Sequence, residues 1–264
     1  MTQVSIDSTT WYDRIWAAFM FFTRLPFWRL HQPDAKAFQT VVEHWPLVGW
    51  LTGASMAAVI LLGAQVFPYA ICIVLAMIVR MLLTGALHED GLADFIDGFG
   101  GGQNRQRILD IMKDSHIGTY GVIGLIGYFS LFFLALYSMS PTDAALTVAV
   151  ADPFAKMISA QLIQMLPYAR TEETAKNRSV YRKPSIKAGI SLALQGLPLI
   201  AMYIYYMRDR MDWALILFLP ALVMYFLYLL MDRKLHGYTG DCCGATFLLV
   251  ELTTLLTACH YLAA

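Results

Sequence analysis

The sequence predicts an all-α, polytopic membrane helix bundle, on the strength of its composition, its long apolar runs and the placement of its basic residues. Hydrophobic residues make up 58% of the 264 residues and charged residues only 14%, which is far more apolar than an ordinary soluble domain. Several runs with few charges reach the roughly 20 residues that a helix needs to cross a bilayer. Such runs must be helical, since lipid offers backbone groups no hydrogen-bond partners. We expect a single membrane domain over residues 1–264.

About seven membrane-spanning helices are predicted, the first two separated by a short turn near Pro68. Their approximate bounds are 45–66, 69–87, 119–139, 144–166, 188–207, 212–231 and 242–263. Before the first span, the apolar run from Ile15 to Phe22 is too short to cross and is flanked by arginines, which predicts an N-terminal interfacial or re-entrant helix within residues 11–30. After the second span, charged and apolar residues recur with helical spacing from Asn104 onward, which predicts an amphipathic helix on the cytoplasmic surface.

The basic residues indicate how these spans are oriented. Fifteen Lys and Arg residues fall on the side of the N-terminus, and only Arg208 and Arg210 fall on the other side. Because basic loops stay in the cytoplasm, we expect a cytoplasmic N-terminus, a C-terminus outside and a location in the cell inner membrane, among membrane lipid. The first residues lack the features of a signal peptide, so we expect the N-terminus to be retained. The formal net charge of zero predicts no nucleic acid partner.

The stretch "LHEDGLADFIDGFGGG" (Leu87 to Gly102) concentrates acids and glycines directly after an apolar run. If it is helical, Asp90, Asp94 and Asp97 lie within about 60° of one another around the helix axis. Three carboxylates on one face repel each other unless a cation binds between them, and oxygen ligands at this density suit Mg²⁺ or Mn²⁺. We therefore predict a metal site at these three aspartates. The glycines should end the helix and leave backbone N–H groups open to a phosphate.

Several other charged residues are candidates for the site or for structural pairs. Lys113 and His116 follow the acidic stretch and could contact phosphate, although a solvated amphipathic helix with ordinary ion pairs explains them equally well. Asp152 and Lys156 are spaced i, i+4 within a predicted span, where an ion pair inside the bundle is the favoured interpretation. Asp241 precedes the last span and either caps that helix or contributes a carboxylate to the site.

Glu251 and the four cysteines are weaker candidates for the site. Glu251 lies deeper in the last span and is either a hydrogen-bond partner within the bundle or an inner acid of the site. The four cysteines show no CxxC or Cys/His spacing of a zinc site, so we interpret them as structural thiols.

The loop between the fourth and fifth spans carries six Lys and Arg residues from Arg170 to Lys187. This exceeds what topology alone needs, so the loop either attracts anionic lipid or holds phosphate groups. We favour phosphate binding by Arg178, Arg182 and Lys183, because a serine and a tyrosine add hydrogen-bonding groups among these charges.

The longest motif resembles the signature of a known family. "TGALHEDGLADFIDGFGGG" followed by "RILDIMKDSHIGTYGV" is similar to the signature of the cobalamin synthase family, the adenosylcobinamide-GDP ribazoletransferases. The segments "FFTRLP", "WPLVGWLTG" and "GYTGDCCGAT" also fall where that family has similar segments, so the resemblance covers most of the chain. The sequence departs from the family at His116, where arginine is more usual, and at the cysteines of "DCCGA", where apolar residues are more usual.

The resemblance implies an integral membrane transferase that joins adenosylcobinamide-GDP to α-ribazole or its 5′-phosphate, releases GMP and requires Mg²⁺. In such a phosphoryl transfer, metal ions neutralise the pyrophosphate and align the attack of a ribose hydroxyl. Asp90, Asp94 and Asp97 would hold Mg²⁺, and Asp97 or Asp94 would be the catalytic carboxylate. Lys113, His116, Asp241 and the three basic loop residues would contact the corrinoid-nucleotide and α-ribazole substrates. The sequence does not determine the oligomeric state, and a homo-oligomer is one of the states it allows.

Two other functions compete with this interpretation. A CDP-alcohol phosphotransferase also has an aspartate-rich helix on the cytoplasmic surface, but its usual pattern has Ala-Arg after the first Asp-Gly and wider Asp spacing. Here "DGLAD" supplies Asp94 at the position of that arginine. An ion-coupled transporter would place acids near mid-membrane on broken helices and would show a repeat between its halves. The acidic stretch instead falls at the end of a span and no repeat is evident, which favours the transferase.

Overall fold

Residues 10–170 and 183–263, which the computed structural model describes, form eleven α-helices and two 3₁₀ segments and contain no β-strand. The 3₁₀ segments are Phe27–Arg29 and Ala35–His44. The helices are α1 (Trp11–Phe22), α2 (Trp45–Gly63), α3 (Tyr69–Thr84), α4 (Leu87–Gly101), α5 (Arg105–Lys113), α6 (Thr119–Tyr137), α7 (Pro141–Ser159), α8 (Leu162–Met165), α9 (Ile186–Met207), α10 (Trp213–Leu235) and α11 (Gly240–Leu262). The prediction of an all-α fold is confirmed.

The long helices fit the predicted spans. Among the described residues, six helical stretches are long and apolar enough to cross a membrane, and there are seven if the bent pair α3 and α4 counts as one. The first stretch begins at Ala35, because the 3₁₀ segment before α2 continues into that helix. The prediction of a polytopic bundle is therefore confirmed, with the second predicted span represented by the shorter helix α3.

A sharp corner separates α3 from α4. Gly85 and Ala86 both have positive φ, +68° and +55°, and the two helices meet at 91°. Gly85 is required at the corner, because a Cβ there would adopt an unfavourable conformation and would also overlap the side chain of Arg24. The corner turns the acidic helix α4 away from the direction of α3.

The N-terminal helix α1 is shorter than the predicted segment, residues 11–30. Thr10 and Asp13 form a capping box at the start of α1, and the helix ends at Thr23, three residues before Pro26. The remainder of the predicted segment forms the short 3₁₀ turn at Phe27–Arg29, because proline and the residue before it disfavour a continuous helix.

The acidic helix ends within the glycine run, as predicted, but the glycine N–H groups are not open to a phosphate. Helix α4 continues through Gly98 and ends after Gly101, with the N–H of Gly102 donating to the carbonyl of Gly98 at 2.9 Å. The glycines instead permit close packing, since a Cβ on Gly98 would lie 2.5 Å from Cγ of Met112 in α5. These backbone groups therefore belong to a helix and do not form an open phosphate loop.

The amphipathic helix predicted after Asn104 is present as α5. Asn104 caps it by accepting a hydrogen bond from the backbone N–H of Arg107 at 2.9 Å. Ile108, Leu109 and Met112 are buried against the bundle, whereas Arg107 and Asp110 are exposed. This packing fixes α5 beside the C-terminal part of α4.

The bundle interior holds charged groups that are paired. Asp152 and Lys156 of α7 form an ion pair, both fully buried, and Thr52 of α2 donates to Asp152 at 2.7 Å. In a second cluster, Arg80 of α3 donates to Glu251 of α11 at 2.6 Å. The predicted Asp152–Lys156 pair is confirmed, and of the two alternatives for Glu251 the structure shows the partner within the bundle.

Candidate active site

A cavity of about 130 Å³ lies where the first turns of α4 and α11 meet. We call it the acidic cavity, because Asp90 and Asp241 line it. Its other walls come from the end of α1, the start of α2 and the segment after α8. The lining residues are Phe21, Phe22, Val42, Trp45, Leu87, His88, Asp90, Tyr168, Arg170, Thr239, Gly240, Asp241, Cys243 and Gly244.

Two glycines bring α4 and α11 into backbone contact beside this cavity. A Cβ atom on Gly91 would lie 3.1 Å from Cα of Asp241, and a Cβ atom on Gly244 would lie 3.4 Å from Cα of His88. Larger side chains at either position would push the helices apart. The close approach places Asp90, next to Gly91, on the same cavity as Asp241.

Asp241 is not the cap of α11. That role belongs to Thr239, whose hydroxyl accepts a hydrogen bond from the backbone N–H of Cys242 at 3.3 Å. Asp241 lies in the first helical turn, half-buried, and its carboxylate accepts a 3.4 Å hydrogen bond from the Thr239 hydroxyl. A negative charge in the first turn also suits the helix dipole. Of the two alternatives, the structure therefore favours the site carboxylate.

The three aspartates of α4 have different environments. The stretch is helical as predicted, so they share a face, but Asp90 is exposed at the cavity, Asp94 is half-buried and Asp97 is buried. Asp97 accepts hydrogen bonds from the backbone N–H groups of Gly118 at 2.7 Å and Gly121 at 2.8 Å. It thereby anchors the N-terminus of α6, where a carboxylate is favoured by the helix dipole. Its role as a metal ligand or catalytic group stays a prediction.

No group of three or more His, Cys, Asp or Glu side chains is arranged to hold a metal ion within residues 10–170 and 183–263. The acidic cavity nevertheless suits Mg²⁺, because this ion is commonly held by one or two carboxylates while water and substrate phosphates complete its coordination. Asp90 and Asp241 supply two such carboxylates from two helices. The donor set therefore fits a magnesium ion that binds together with a phosphorylated substrate.

Tyr168 and Arg170 form a wall of the acidic cavity that is held by backbone hydrogen bonds. The N–H of Tyr238 donates to the carbonyl of Pro167 at 2.9 Å, and the N–H of Ala169 donates back to Tyr238 at 2.8 Å. Burial, with the charge of Asp241 as the next cause, raises the pKa of Tyr168 to about 12. The phenol is therefore a neutral hydrogen-bond donor at physiological pH.

A second opening, which we call the basic cleft, adjoins the acidic cavity and has a volume of about 420 Å³. The two share Tyr168 and Arg170. The basic cleft is lined by Arg105, Gln106, Leu109, Asp110, Lys113, Tyr168, Ala169 and Arg170. Three cationic side chains thus face one carboxylate, which makes the cleft suitable for an anion.

The arginines of the basic cleft are fixed by neutral carbonyl groups. Arg105 donates to the carbonyl of Leu235 at 2.7 Å and to that of Ala169 at 2.6 Å, and Arg170 donates to the carbonyl of Leu109 at 2.8 Å. Carbonyl oxygens orient a guanidinium without cancelling its charge. Both cations are therefore held in position for a negatively charged ligand.

The structure separates the predicted substrate-binding residues. Lys113 lines the basic cleft, whereas His116 lines neither opening, has a side chain 90% exposed and contacts Asp114 at 2.7 Å. That hydrogen bond lowers the pKa of Asp114. Lys183 is exposed and lines neither opening. Arg178 and Arg182 lie outside the described residues.

Several lining residues could not be singled out from the sequence. Trp45, Tyr168 and Arg105 come from segments far apart in the chain, and only the fold brings them to adjoining openings. His88 alone stood within the acidic stretch, next to Glu89, and could have been singled out there.

The fold and the site together define a polytopic helical membrane protein whose acidic and basic openings adjoin at the starts of α4 and α11. The chain belongs to the cobalamin-5-phosphate synthase family, whose pattern matches residues 14–259. It is 36% identical over 248 residues to an adenosylcobinamide-GDP ribazoletransferase of Leptothrix cholodnii, covering 90% of this chain and 92% of that protein.

Other relatives carry the same name. The chain is 32% identical over 238 residues to the adenosylcobinamide-GDP ribazoletransferase of Leptospira interrogans, covering 88% of this chain and 89% of that protein. The chain is also 33% identical over 249 residues to the adenosylcobinamide-GDP ribazoletransferase of Vibrio cholerae serotype O1, covering 93% of this chain and 92% of that protein. No solved structure matches the chain significantly.

Proposed function

We propose that this protein is a Mg²⁺-dependent adenosylcobinamide-GDP ribazoletransferase. It joins adenosylcobinamide-GDP to α-ribazole or its 5′-phosphate and forms adenosylcobalamin or its 5′-phosphate with release of GMP, which is the last assembly step of cobalamin. The observation that carries the proposal is the meeting of Asp90 and Asp241 on one cavity, beside a basic cleft, in a chain of this family.

The reaction is a phosphoryl transfer at the pyrophosphate of the corrinoid substrate. An oxygen–phosphorus bond forms between a ribose hydroxyl and the phosphorus next to the aminopropanol arm, and the bond from that phosphorus to GMP breaks. Such reactions depend mainly on positioning and on compensation of charge. Mg²⁺, when bound, neutralises the pyrophosphate and favours departure of the leaving group. The acidic cavity would bind the metal, and the basic cleft would bind phosphate oxygens directly.

Each carboxylate has a proposed part in this arrangement. Asp90 and Asp241 hold the metal, since their side chains line the same cavity. Asp94, one helical turn beyond Asp90, continues the acidic face outside the lining of both openings and accepts the proton of the attacking hydroxyl through a water molecule. Asp97 acts as a positioning residue, because its hydrogen bonds to Gly118 and Gly121 fix α6 against α4.

The phosphate contacts are assigned to the cations nearest the acidic cavity. Arg170 lies on the wall that both openings share, and Arg105 and Lys113 lie further along the basic cleft. Arginine can contact phosphate oxygens through two parallel N–H groups, whereas lysine acts as a point charge. Arg178, Arg182 and Lys183 are proposed to add to this binding from the loop that follows.

The site is proposed to face the cytoplasm of a cell with the protein in its inner membrane. Fifteen basic residues lie on the predicted cytoplasmic side and two on the other. The acidic cavity is lined from the start of α2, the start of α4, the segment after α8 and the start of α11. With α3 as the second span, all four lie on that same side, and the C-terminus lies outside.

The test is an assay of the purified protein with adenosylcobinamide-GDP and either α-ribazole or α-ribazole 5′-phosphate. GMP and a cobalamin product should form when Mg²⁺ is present and should be lost when a chelator is added. Asp90→Asn should abolish product formation, whereas Asp209→Asn, an exposed residue between α9 and α10, should leave it intact. Failure of the wild-type protein to form GMP from either acceptor, with Mg²⁺ supplied, would rule out the proposed activity.

A further inference from the structure

One wall of the acidic cavity is a stack of aromatic rings. Phe22 and Trp45 stack with centroids 5.2 Å apart and an interplanar angle of 14°, and Trp45 and His88 stack at 5.8 Å and 24°. Phe247 closes the stack with its ring 4.8 Å from that of His88. We call Phe22, Trp45 and His88 the aromatic wall; all three line the cavity that also holds Asp90.

The aromatic wall contains two buried ring nitrogens without a partner. Trp45 is 1% exposed and His88 is 3% exposed, and neither Nε1 of Trp45 nor Nε2 of His88 has a hydrogen-bond partner among the described residues. Native structures pair nearly all of their buried polar groups, and an unpaired one is destabilising. Both rings line the acidic cavity, so a ligand that shifts them enough to uncover these buried nitrogens is the available source of the missing partners.

We propose that the aromatic wall receives the heterocyclic base of the acceptor nucleoside, with Nε1–H of Trp45 donating a hydrogen bond to an unsubstituted ring nitrogen of the base. This inference rests on the proposed transferase function. His88 lies beside Trp45 in the wall, and its Nε2 is left to pair with a hydroxyl of the attached ribose. Trp45 is thereby a specificity-determining residue for the base, distinct from the carboxylates that serve the phosphoryl transfer.

The chemistry of the wall favours the acceptor base over the guanine of the donor. The base of α-ribazole is a benzimidazole, which is flat and apolar except for one free ring nitrogen that accepts a hydrogen bond. Guanine carries several donors and acceptors along its edges, and burying them unpaired is costly. A wall of stacked rings with a single tryptophan donor matches the benzimidazole.

The position of the wall also matches the reaction. His88 and Asp90 are two residues apart at the start of α4, and both line the acidic cavity. A base on the aromatic wall therefore leaves the attached ribose beside the carboxylates. The attacking hydroxyl and the metal ligands then lie in the same cavity.

The first experiment needs only the wild-type protein and two acceptors. One is α-ribazole, and the other is the same nucleoside with an indole in place of the benzimidazole, so that a C–H group replaces the accepting nitrogen. We expect kcat/KM for the indole acceptor to be lower by about tenfold, as for the loss of one buried hydrogen bond. Equal kcat/KM for both acceptors would overturn the inference while leaving the transferase function intact, whereas absence of GMP with both would refute the function itself.

The second experiment assigns the discrimination to Trp45. Trp45→Phe should lower kcat/KM for α-ribazole by about tenfold, should leave the value for the indole acceptor nearly unchanged, and should not alter the KM for adenosylcobinamide-GDP. Trp50→Phe is the matched control, because Trp50 lies on the same helix and its Nε1 donates to the carbonyl of Gln195 at 2.8 Å. If the Trp45→Phe protein still prefers α-ribazole over the indole acceptor as strongly as the wild type does, Trp45 does not contact the base.

Discussion

Gly91 and Asp241 are in contact through their backbones: a Cβ atom on Gly91 would lie 3.1 Å from Cα of Asp241 and 3.2 Å from its carbonyl oxygen. Neither of these atoms can move without moving α11. The separation of Asp90 from Asp241 across the acidic cavity therefore depends on the absence of a side chain at position 91.

Replacing Gly91 by alanine should reduce turnover. The added methyl group shifts α11 relative to α4 by a few tenths of an ångström and misplaces Asp241, so we expect kcat to fall by about tenfold or more. Gly127→Ala is the control, since a Cβ on Gly127 of α6 meets no atom within 4 Å. Steady-state kinetics of the two purified variants measure the effect, and equal kcat values would contradict it.

Asp90 and Asp97 should respond differently to the same substitution. Asp90→Asn should abolish Mg²⁺-dependent product formation with little change in Tm, because Asp90 is exposed and its neighbours do not depend on it for packing. Asp97→Asn should lower Tm, because the amide supplies one acceptor where two carboxylate oxygens now bind Gly118 and Gly121. Thermal unfolding in detergent together with product formation separates the two, and unchanged Tm in Asp97→Asn would contradict the anchoring role.

Asp152→Asn should destabilise the bundle. It leaves the fully buried ammonium of Lys156 without its carboxylate, and removal of one partner of a buried pair costs about 3–5 kcal/mol. The fraction of protein that stays folded in detergent on heating measures the loss. In the double variant Asp152→Asn, Lys156→Met the unpaired charge is gone, so stability should recover in part; a double variant less stable than Asp152→Asn would argue against an unpaired charge as the cause.

Lys113 and His116 form a matched pair for testing the basic cleft. Lys113→Gln removes a cation that lines the cleft, so we expect KM for adenosylcobinamide-GDP or the phosphorylated acceptor to rise by about threefold to tenfold. His116→Gln removes an exposed ring outside both openings and should leave KM unchanged. A larger effect at His116 than at Lys113 would place the phosphate site elsewhere.

Tyr168→Phe should lower kcat/KM by a factor that does not vary with pH. Because the pKa of Tyr168 is raised to about 12, its hydroxyl stays protonated and able to donate throughout roughly pH 7 to 9. The raised pKa also means that the contribution of Tyr168 to stability is complete below its unfolded pKa of about 10 and is lost as the pH rises through about 12. If the ratio of wild-type to variant kcat/KM changes between roughly pH 7 and 9, Tyr168 ionises in the working enzyme.

The features that could be predicted from the sequence are those fixed by composition or by short-range spacing. Apolar length predicted the spans, helical periodicity predicted α5, and the i, i+4 spacing of Asp152 and Lys156 predicted their ion pair. The prediction of open N–H groups at the glycines failed because glycine disfavours a helix by only about 1 kcal/mol, and α4 continues to Gly101. The absence of a side chain at Gly98 lets α4 pack closely against Met112.

The site itself could be predicted only in part. Asp90, which lines the acidic cavity, was predicted as a site residue because it lies in a dense local motif, whereas the alternatives for Asp241 depend on the meeting of α11 with α4. Likewise, the anchoring of α6 by Asp97 and the fixing of Arg170 by the Leu109 carbonyl depend on which helix ends are neighbours. Such relations between distant segments leave no periodic signal in one sequence.

The pairing of Arg80 with Glu251 joins residues 171 positions apart and so constrains the order in which the protein can be made. Helix α3 leaves the ribosome long before α11, and an arginine within an apolar helix disfavours its insertion by up to about 2.5–3.5 kcal/mol. Glu89 of α4, 3.6 Å from Arg80, is the first carboxylate to become available, and the hydroxyl of Tyr128 in α6 follows at 2.7 Å. Helix α11 then adds Glu251 at 2.6 Å and, from its first turn, brings Asp241 to the cavity. A chain truncated before α11 therefore loses the nearest counter-charge of Arg80 and a carboxylate of the cavity in one step.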